Sequence, residues 1–212
     1  SHVNFVEKDH KLYFATHVGV YSYVDGKETM GIPPAGYKPY PGGHLLSYDL
    51  KTGKFEDYGI CPEREGVLTM NMDTRRGRLF ALTWPSGIFY RYDLATRNQK
   101  SFGKMCAEGE NGTGPAYRTV CRSIVVDPRD GSAYFTSSEG TIFRYDAASD
   151  SVSAMKGETM VKDYFGSYDP TDAGHMGYNW RQTFWREQDN LIYGVHGNSG
   201  YLFRFDPRVP RL

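Results

Sequence analysis

Apolar residues along this chain fall in short runs that alternate with polar positions or carry β-branched and aromatic side chains, and each run is cut off by Gly, Asp, Asn or Pro. That is the pattern of strands separated by tight turns. The runs come in fours. The first set is residues 3–7, 12–17, 44–50 and 55–60; the second is 67–73, 78–83, 88–94 and 99–103. The third is 123–127, 132–137, 141–147 and 151–155; the fourth stops after three, at 181–185, 191–196 and 201–206. No stretch keeps a 3.6-residue period with caps, so helix is expected only as a short turn near residues 159–164.

The third strand of each set is nearly the same phrase. It reads His44-Leu-Leu-Ser-Tyr-Asp49, Ile88-Phe-Tyr-Arg-Tyr-Asp93, Ile142-Phe-Arg-Tyr-Asp146 and Leu202-Phe-Arg-Phe-Asp206. The aromatics before each Asp, at Tyr48, Tyr92, Tyr145 and Phe205, lie 44, 53 and 60 residues apart. A period of this size with several short strands per unit predicts an all-β protein, a β-propeller with four four-stranded blades visible. The blades run over about 1–60, 61–104, 118–156 and 178–212 of a single domain spanning 1–212. The last blade is incomplete, since residues 207–212 are short and proline-broken. The expectation is therefore part of a six- to eight-bladed propeller, with the remaining blades as partners; a complete four-bladed ring is the rival. Asp49, Asp93, Asp146 and Asp206 are read as structural, each carboxylate accepting backbone N–H groups in the turn that follows.

Loop length singles out one face. Links 8–11, 74–77, 128–131 and 186–190 are short and share the face of the third-to-fourth turns. Links 18–43, 105–122 and 157–180 are long and fall on the opposite face. Loops beyond about 12–15 residues are uncommon in compact domains, and loops on a rigid frame carry binding and catalysis. Link 18–43 is rich in Tyr and Pro and link 157–180 in aromatic residues, which predicts order. The same face collects His2, His17, His175 and His196, with Tyr178, Trp84, Trp180, Arg118, Arg122 and Arg181. The chain's remaining turn histidine, His10, falls on the short-loop face.

Composition narrows the partners. The charges balance, 25 Lys+Arg against 25 Asp+Glu, which leaves no electrostatic footprint for nonspecific nucleic-acid binding. No apolar run is long enough to span a membrane as a helix. Aromatics make up 15% of the chain, suiting packed sheets and sugar-binding surfaces alike. Cys61, Cys106 and Cys121 show no metal or disulfide spacing, although Cys106 and Cys121 flank one loop and one bridge between them is open. Neither HExxH nor HxH occurs, so no cofactor is indicated; Glu65, Asn71 and Asn179 are the only candidates for a lactonase-type metal mouth.

The blade phrases Gly77-Arg-Leu-Phe-Ala-Leu-Thr-Trp84 and Arg91-Tyr-Asp-Leu-Ala-Thr96 resemble bacterial propellers of the broad lactonase, gluconolactonase and YVTN-like group. A second likeness, to propeller polysaccharide lyases of the oligogalacturonate and ulvan type, rests on Ser1-His2-Val-Asn4 and Tyr13-Phe-Ala-Thr-His17. That resemblance implies His and Tyr acting on a sugar-ring proton and Arg neutralising a uronate carboxylate. The catalytic set it implies is His2, His17, Tyr178, Arg122 and Arg181. The substrate-binding set is Tyr37, Tyr40, Trp84, Arg118, His175, Trp180 and His196, with the two tryptophans stacking on sugar rings. The expected function is thus a carbohydrate-active propeller cleaving uronate glycans by β-elimination; the alternative is a noncatalytic glycan- or protein-binding propeller. The resemblance also implies a periplasmic or extracellular place.

Overall fold

The strand runs fold, in the computed structural model, into four radially arranged antiparallel sheets; the structure describes residues 5–24 and 26–212. Blade one contains β1 (Phe5–Lys8), β2 (Lys11–Ala15), β5 (His44–Asp49) and β6 (Phe55–Ile60), paired in that order. Blade two contains β7 (Gly66–Asp73), β8 (Arg78–Trp84), β9 (Ile88–Asp93) and β10 (Gln99–Lys104). Blade three contains β11 (Val125–Val126), β12 (Ala133–Thr136), β13 (Ile142–Asp146) and β14 (Ser151–Ala154). Blade four has three strands, β15 (Trp180–Arg186), β16 (Leu191–His196) and β17 (Leu202–Phe205). The protein is an all-β arc of a β-propeller.

One element departs from the strand runs. Link 18–43 contains a hairpin of β3 (Tyr21–Val24) and β4 (Lys27–Met30), paired from Tyr21 opposite Met30 to Val24 opposite Lys27. Its sequence signal is Asp25-Gly26 between two polar-apolar runs, the pair favoured in two-residue hairpin loops. The expected turn near 159–164 is a single 3-10 turn at Asp163–Phe165.

Each blade turn is closed as its sequence implies. Asp49 accepts N–H bonds from Lys51 and Thr52 at 2.9 and 2.8 Å, and Asp93 from Ala95 and Thr96 at 3.1 and 2.9 Å. Asp146 does the same with Ala148 and Ser149, and Asp206 with Arg208. Backbone N–H groups hold the Asp49 and Asp146 carboxyls below the ordinary Asp range. These four aspartates build turns.

Period-2 alternation then decides which side chains meet between blades. In blade one Tyr13 and Leu45 face blade two, where Met70, Leu79, Tyr90 and Tyr92 complete one core cluster. A larger cluster runs from Phe80 and Phe89 of blade two through Phe135 and Tyr145 of blade three to Trp180, Ile192 and Phe205 of blade four. Phe89 and Phe135 stack at 4.6 Å across the second junction. The outer faces of blades one and four do not meet: Phe55, Phe184 and Leu202 are all exposed. The four blades therefore do not close on themselves, which sets aside the four-bladed ring.

A polar clasp reinforces the junction of blades two and three. Arg91 donates to both oxygens of Asp150, at 3.0 and 3.1 Å, while Lys100 and Tyr145 donate at 2.9 and 2.8 Å. Burial alone would raise the Asp150 pKa, but bonds from Lys100, Arg91 and Tyr145 win and hold the carboxyl well below its usual range. Asp150 is partly exposed, so solvent screens part of this gain. Asp150→Ala is expected to cost about 1–3 kcal/mol. A urea titration should show a lower midpoint with an unchanged slope; an unmoved midpoint would remove the clasp from the stability of this junction.

Candidate functional site

The three long links converge on the face where they were expected. Link 105–122 is tied to the end of blade two by the Glu110 N–H to Pro85 carbonyl bond and folded back on itself by the Arg118 N–H to Gly109 carbonyl bond, both 2.8 Å. Gly109 sits at φ +61, and a Cβ built there would lie 2.3 Å from the Pro85 oxygen. Only glycine fits that bend. The bend drives Glu110 into the interior, where it is buried beneath Trp84.

Glu110 is the hub of the site. Its carboxylate accepts from Trp84 Nε1 at 2.7 Å, from the Val120 N–H at 2.9 Å and from Arg122 Nη1 at 2.5 Å. A buried carboxylate with three donors, one of them a cation, is satisfied. Arg122 also donates to the Val120 carbonyl at 2.7 Å. Sequence reasoning missed Glu110, because its partner Trp84 lies 26 residues away in another blade element and nothing local marks the pair.

Above this hub lies a cleft of about 320 Å³. The β3–β4 hairpin contributes Tyr23, Lys27 and Glu28, and β4 packs on the Gly109–Asn111 turn. Link 105–122 contributes Glu110, Tyr117 and Arg122, and link 157–180 contributes His175 and Met176. The Lys27 ammonium sits 4.5 Å from the centre of the Tyr117 ring. Tyr23 donates to Glu28 at 2.8 Å. His175 Nδ1 accepts the Gly177 N–H at 3.0 Å, and its Nε2 lies 3.4 Å from Asp172. The cleft thus offers a cation over an aromatic face, an Arg–Glu pair and an imidazole, a set that donates and accepts hydrogen bonds within one small volume.

The other residues singled out from sequence divide among separate places. His17 packs its ring against Trp84 and Tyr21, at 5.3 and 5.7 Å. Gly66 permits this, since a Cβ there would fall 2.7 Å from His17 Nδ1. Arg181 is exposed and donates to Met176 Sδ at 3.0 Å. Arg118 ion-pairs with Glu139 and donates to the Pro115 and Tyr117 carbonyls, both at 2.7 Å. Tyr37 and Tyr40 line a different, proline-rich groove on link 18–43, where Tyr40 bonds Thr16 at 2.9 Å. His2 lies outside the described residues. His10 is exposed in the β1–β2 turn.

A second cluster joins His196, Tyr178 and His175 through Tyr168, whose ring is 5.4–5.7 Å from all three. His196 is fully buried and stacks on Phe165 at 4.2 Å. Its Nδ1 takes the Ser199 hydroxyl at 2.9 Å, while Nε2 has no hydrogen-bond partner among the described residues. Burial pushes its pKa down to about 4.

One expectation is corrected, and one open question is answered. Trp84 and Trp180 do not present ring faces to a sugar, because both are buried: Trp84 by His17, Tyr21 and Glu110, Trp180 by Phe203, with its Nε1 bonded to the Ser123 carbonyl. Trp84 ends β8 as expected, Trp180 opens β15 rather than closing the long link, and the folded-over loops cover both. Cys106 and Cys121 are not bridged; all three cysteines are free and buried. Glu65, Asn71 and Asn179 are each tied to different protein groups: Glu65 to Thr83 and Ser86, Asn71 to the Ile124 carbonyl, Asn179 to the Thr119 carbonyl. Among the described residues no three His, Cys, Asp or Glu side chains gather as metal ligands, and no helix is long and apolar enough to cross a membrane.

No family model and no curated protein matches this chain. Solved structures do. The β-propeller domain of Cps50 (Swd1) from Myceliophteria thermophila aligns at TM-score 0.61 and 11% identity, over 99% of this chain and 52% of its own. The major Malassezia sympodialis allergen Mala s 1 aligns at 0.58 and 15%, over 96% and 59%. An auxiliary nutrient binding protein of Bacteroides thetaiotaomicron aligns at 0.56 and 15%, over 99% and 39%. At these identities the likeness bears on fold alone, and it places the chain in the class of β-propellers. The chain spans roughly half the length of the structures it matches.

Proposed function

We propose that this chain is a ligand-binding propeller whose cleft at Lys27, Tyr117, Arg122 and His175 takes a small glycan or a glycan end. The observation that carries the reading is the convergence of all three long links on that one cleft. Its volume lies at the small end of ligand sites, enough for one or two sugar units. Aromatic faces, paired charges and an imidazole are the groups that grip hydroxyls. That a nutrient binding protein shares the fold agrees with this reading, and with it goes the proposal of a periplasmic or extracellular place.

Binding is preferred to β-elimination for a geometric reason. Elimination needs a cation free to meet the carboxylate and a base free to reach the ring proton. Of the arginines singled out for that chemistry, Arg122 is committed to Glu110, Arg118 to Glu139 and two carbonyls, and exposed Arg181 is not among the residues lining the cleft. Tyr178 and His196 are interior.

Calorimetric titration with neutral and uronate oligosaccharides tests the reading. Binding is expected without any absorbance from a new C4–C5 double bond. Lys27→Ala should weaken it about tenfold, the loss of one charge-assisted contact of about 1.5 kcal/mol. Growth of that absorbance would restore the lyase reading, and absence of heat with every glycan would remove the glycan.

A further inference from the structure

Link 18–43 forms a second concavity, apart from the cleft that its hairpin helps to build. Its volume is about 540 Å³, inside the range of about 300–1,000 Å³ usual for small-molecule sites. Four prolines, Val20, Met30, Tyr37 and Tyr40 line it, and none of its lining residues also lines the cleft. The groove is held in shape by its own chain. The Tyr37 N–H donates to the Pro34 carbonyl at 3.1 Å, with Gly36 at φ +90, the place of a type II turn that favours glycine. Pro33, Pro34, Pro39 and Pro41 fix φ on both sides of that turn. The Tyr40 hydroxyl bonds Thr16 Oγ1 at 2.9 Å, and that oxygen also accepts the His44 N–H at 2.9 Å, which ties this wall to blade one.

The chemistry of the groove differs from that of the cleft. The cleft gathers charges and an imidazole, whereas the groove is walled mostly by carbon, and the Tyr40 hydroxyl is already bonded. Such a wall cannot replace the water around sugar hydroxyls. Tyr37 is 74% exposed and Met30 40%, apolar surface that a ligand would take out of water. Lys38 is the one charged side chain on the wall, and it makes no ion pair among the described residues. We propose that this groove is a second ligand site, taking a small apolar monocarboxylate. The carbon skeleton lies against the prolines and tyrosines, and the carboxylate supplies the counter-charge that Lys38 lacks. Lys38 is exposed, so its pair with the ligand stays in water and sets selectivity more than affinity.

Calorimetric titration of the full chain with octanoate and with octanol tests this, using two variants of exposed side chains. Saturable binding of both probes is expected. Lys38→Gln should weaken octanoate about fivefold, the worth of one solvent-exposed ion pair, and leave octanol unchanged. Tyr37→Ser should weaken both probes at least tenfold, because the ring is a wall that the carbon chain covers. Both variants should keep the melting temperature of the unaltered chain. Absence of binding by either probe overturns the site. Binding indifferent to Tyr37→Ser places the probes elsewhere and overturns it as well, and an equal effect of Lys38→Gln on octanoate and octanol overturns the anionic ligand. Co-sedimentation with phosphatidylcholine vesicles that Tyr37→Ser abolishes, in a chain that ignores octanoate, would make the patch a membrane contact instead. Glycan binding at Lys27 should be the same in both variants, so the groove and the cleft stand or fall separately.

Discussion

Glu110→Ala is expected to lower stability by about 3–5 kcal/mol, because it removes the partner of a buried cation. The carboxylate takes three donors, and the Arg122 guanidinium is mostly buried beside it. Without Glu110, Arg122 keeps one carbonyl and loses its counter-charge, while Trp84 Nε1 and the Val120 N–H lose their acceptor. Each interior donor left without a partner adds about 1–3 kcal/mol, not additively. In a chain of this size a loss of about 4 kcal/mol moves Tm by roughly 8–16 °C. Calorimetry reads it directly. The same variant should lose glycan binding, since Glu110 and Arg122 line the cleft. Adding Arg122→Met to Glu110→Ala should recover part of the stability, because the uncompensated charge is then gone. A shift under about 1 kcal/mol would mean that water reaches Arg122 and that the pair is peripheral.

Acid should weaken the protein at His196 well before its carboxylates titrate. The ring is buried against Phe165, Tyr168 and Tyr178, and its folded pKa is about 4 against an ordinary 6.5. The sign follows from linkage. Between those two values the unfolded chain binds a proton at this ring and the folded chain refuses it, so stability falls as pH falls. The contribution is fully present above about pH 6.5, declines from 6.5 to 4, and is flat below. The gap corresponds to about 3 kcal/mol. His196→Phe keeps an aromatic ring on Phe165 and removes the titration. Urea midpoints at pH 7 and pH 4.5 should then differ less in the variant than in the unaltered chain. Equal differences in the two proteins would show that the ring titrates normally and that the acid loss lies elsewhere. Asp150, held low by Lys100 and Arg91, loses its clasp only at more acidic pH and does not share this window.

The blades were legible because their determinants are local. Strand alternation, the aromatic-x-aromatic-Asp phrase and the Asp-led turns each act within about ten residues, and the structure reproduces them at Tyr48-Asp49, Tyr92-Asp93, Tyr145-Asp146 and Phe205-Asp206. Link lengths likewise put three long loops on one face without any knowledge of packing. The β3–β4 hairpin is also locally encoded, by Asp25-Gly26, but the proline and tyrosine around it mask the signal.

What each loop residue touches was decided by tertiary structure. Trp84 and Trp180 stand at strand ends facing the loops, and in sequence they look like sugar platforms; links folding over them turned both into core. His17, His175 and His196 share a face, yet His17 packs beside Trp84 whereas His175 and His196 join through Tyr168. Glu110 became a hub because Gly109 allows a bend that no other residue tolerates. The sequence alone determined an all-β repeat, its turns and the face that carries the loops, since those depend on short-range alternation and turn geometry. Only the folded structure decided which loop side chains are buried, paired or left lining the cleft, since those outcomes depend on contacts between distant segments, such as Trp84 with Glu110, 26 residues apart, and Asn179 with Thr119, 60 apart.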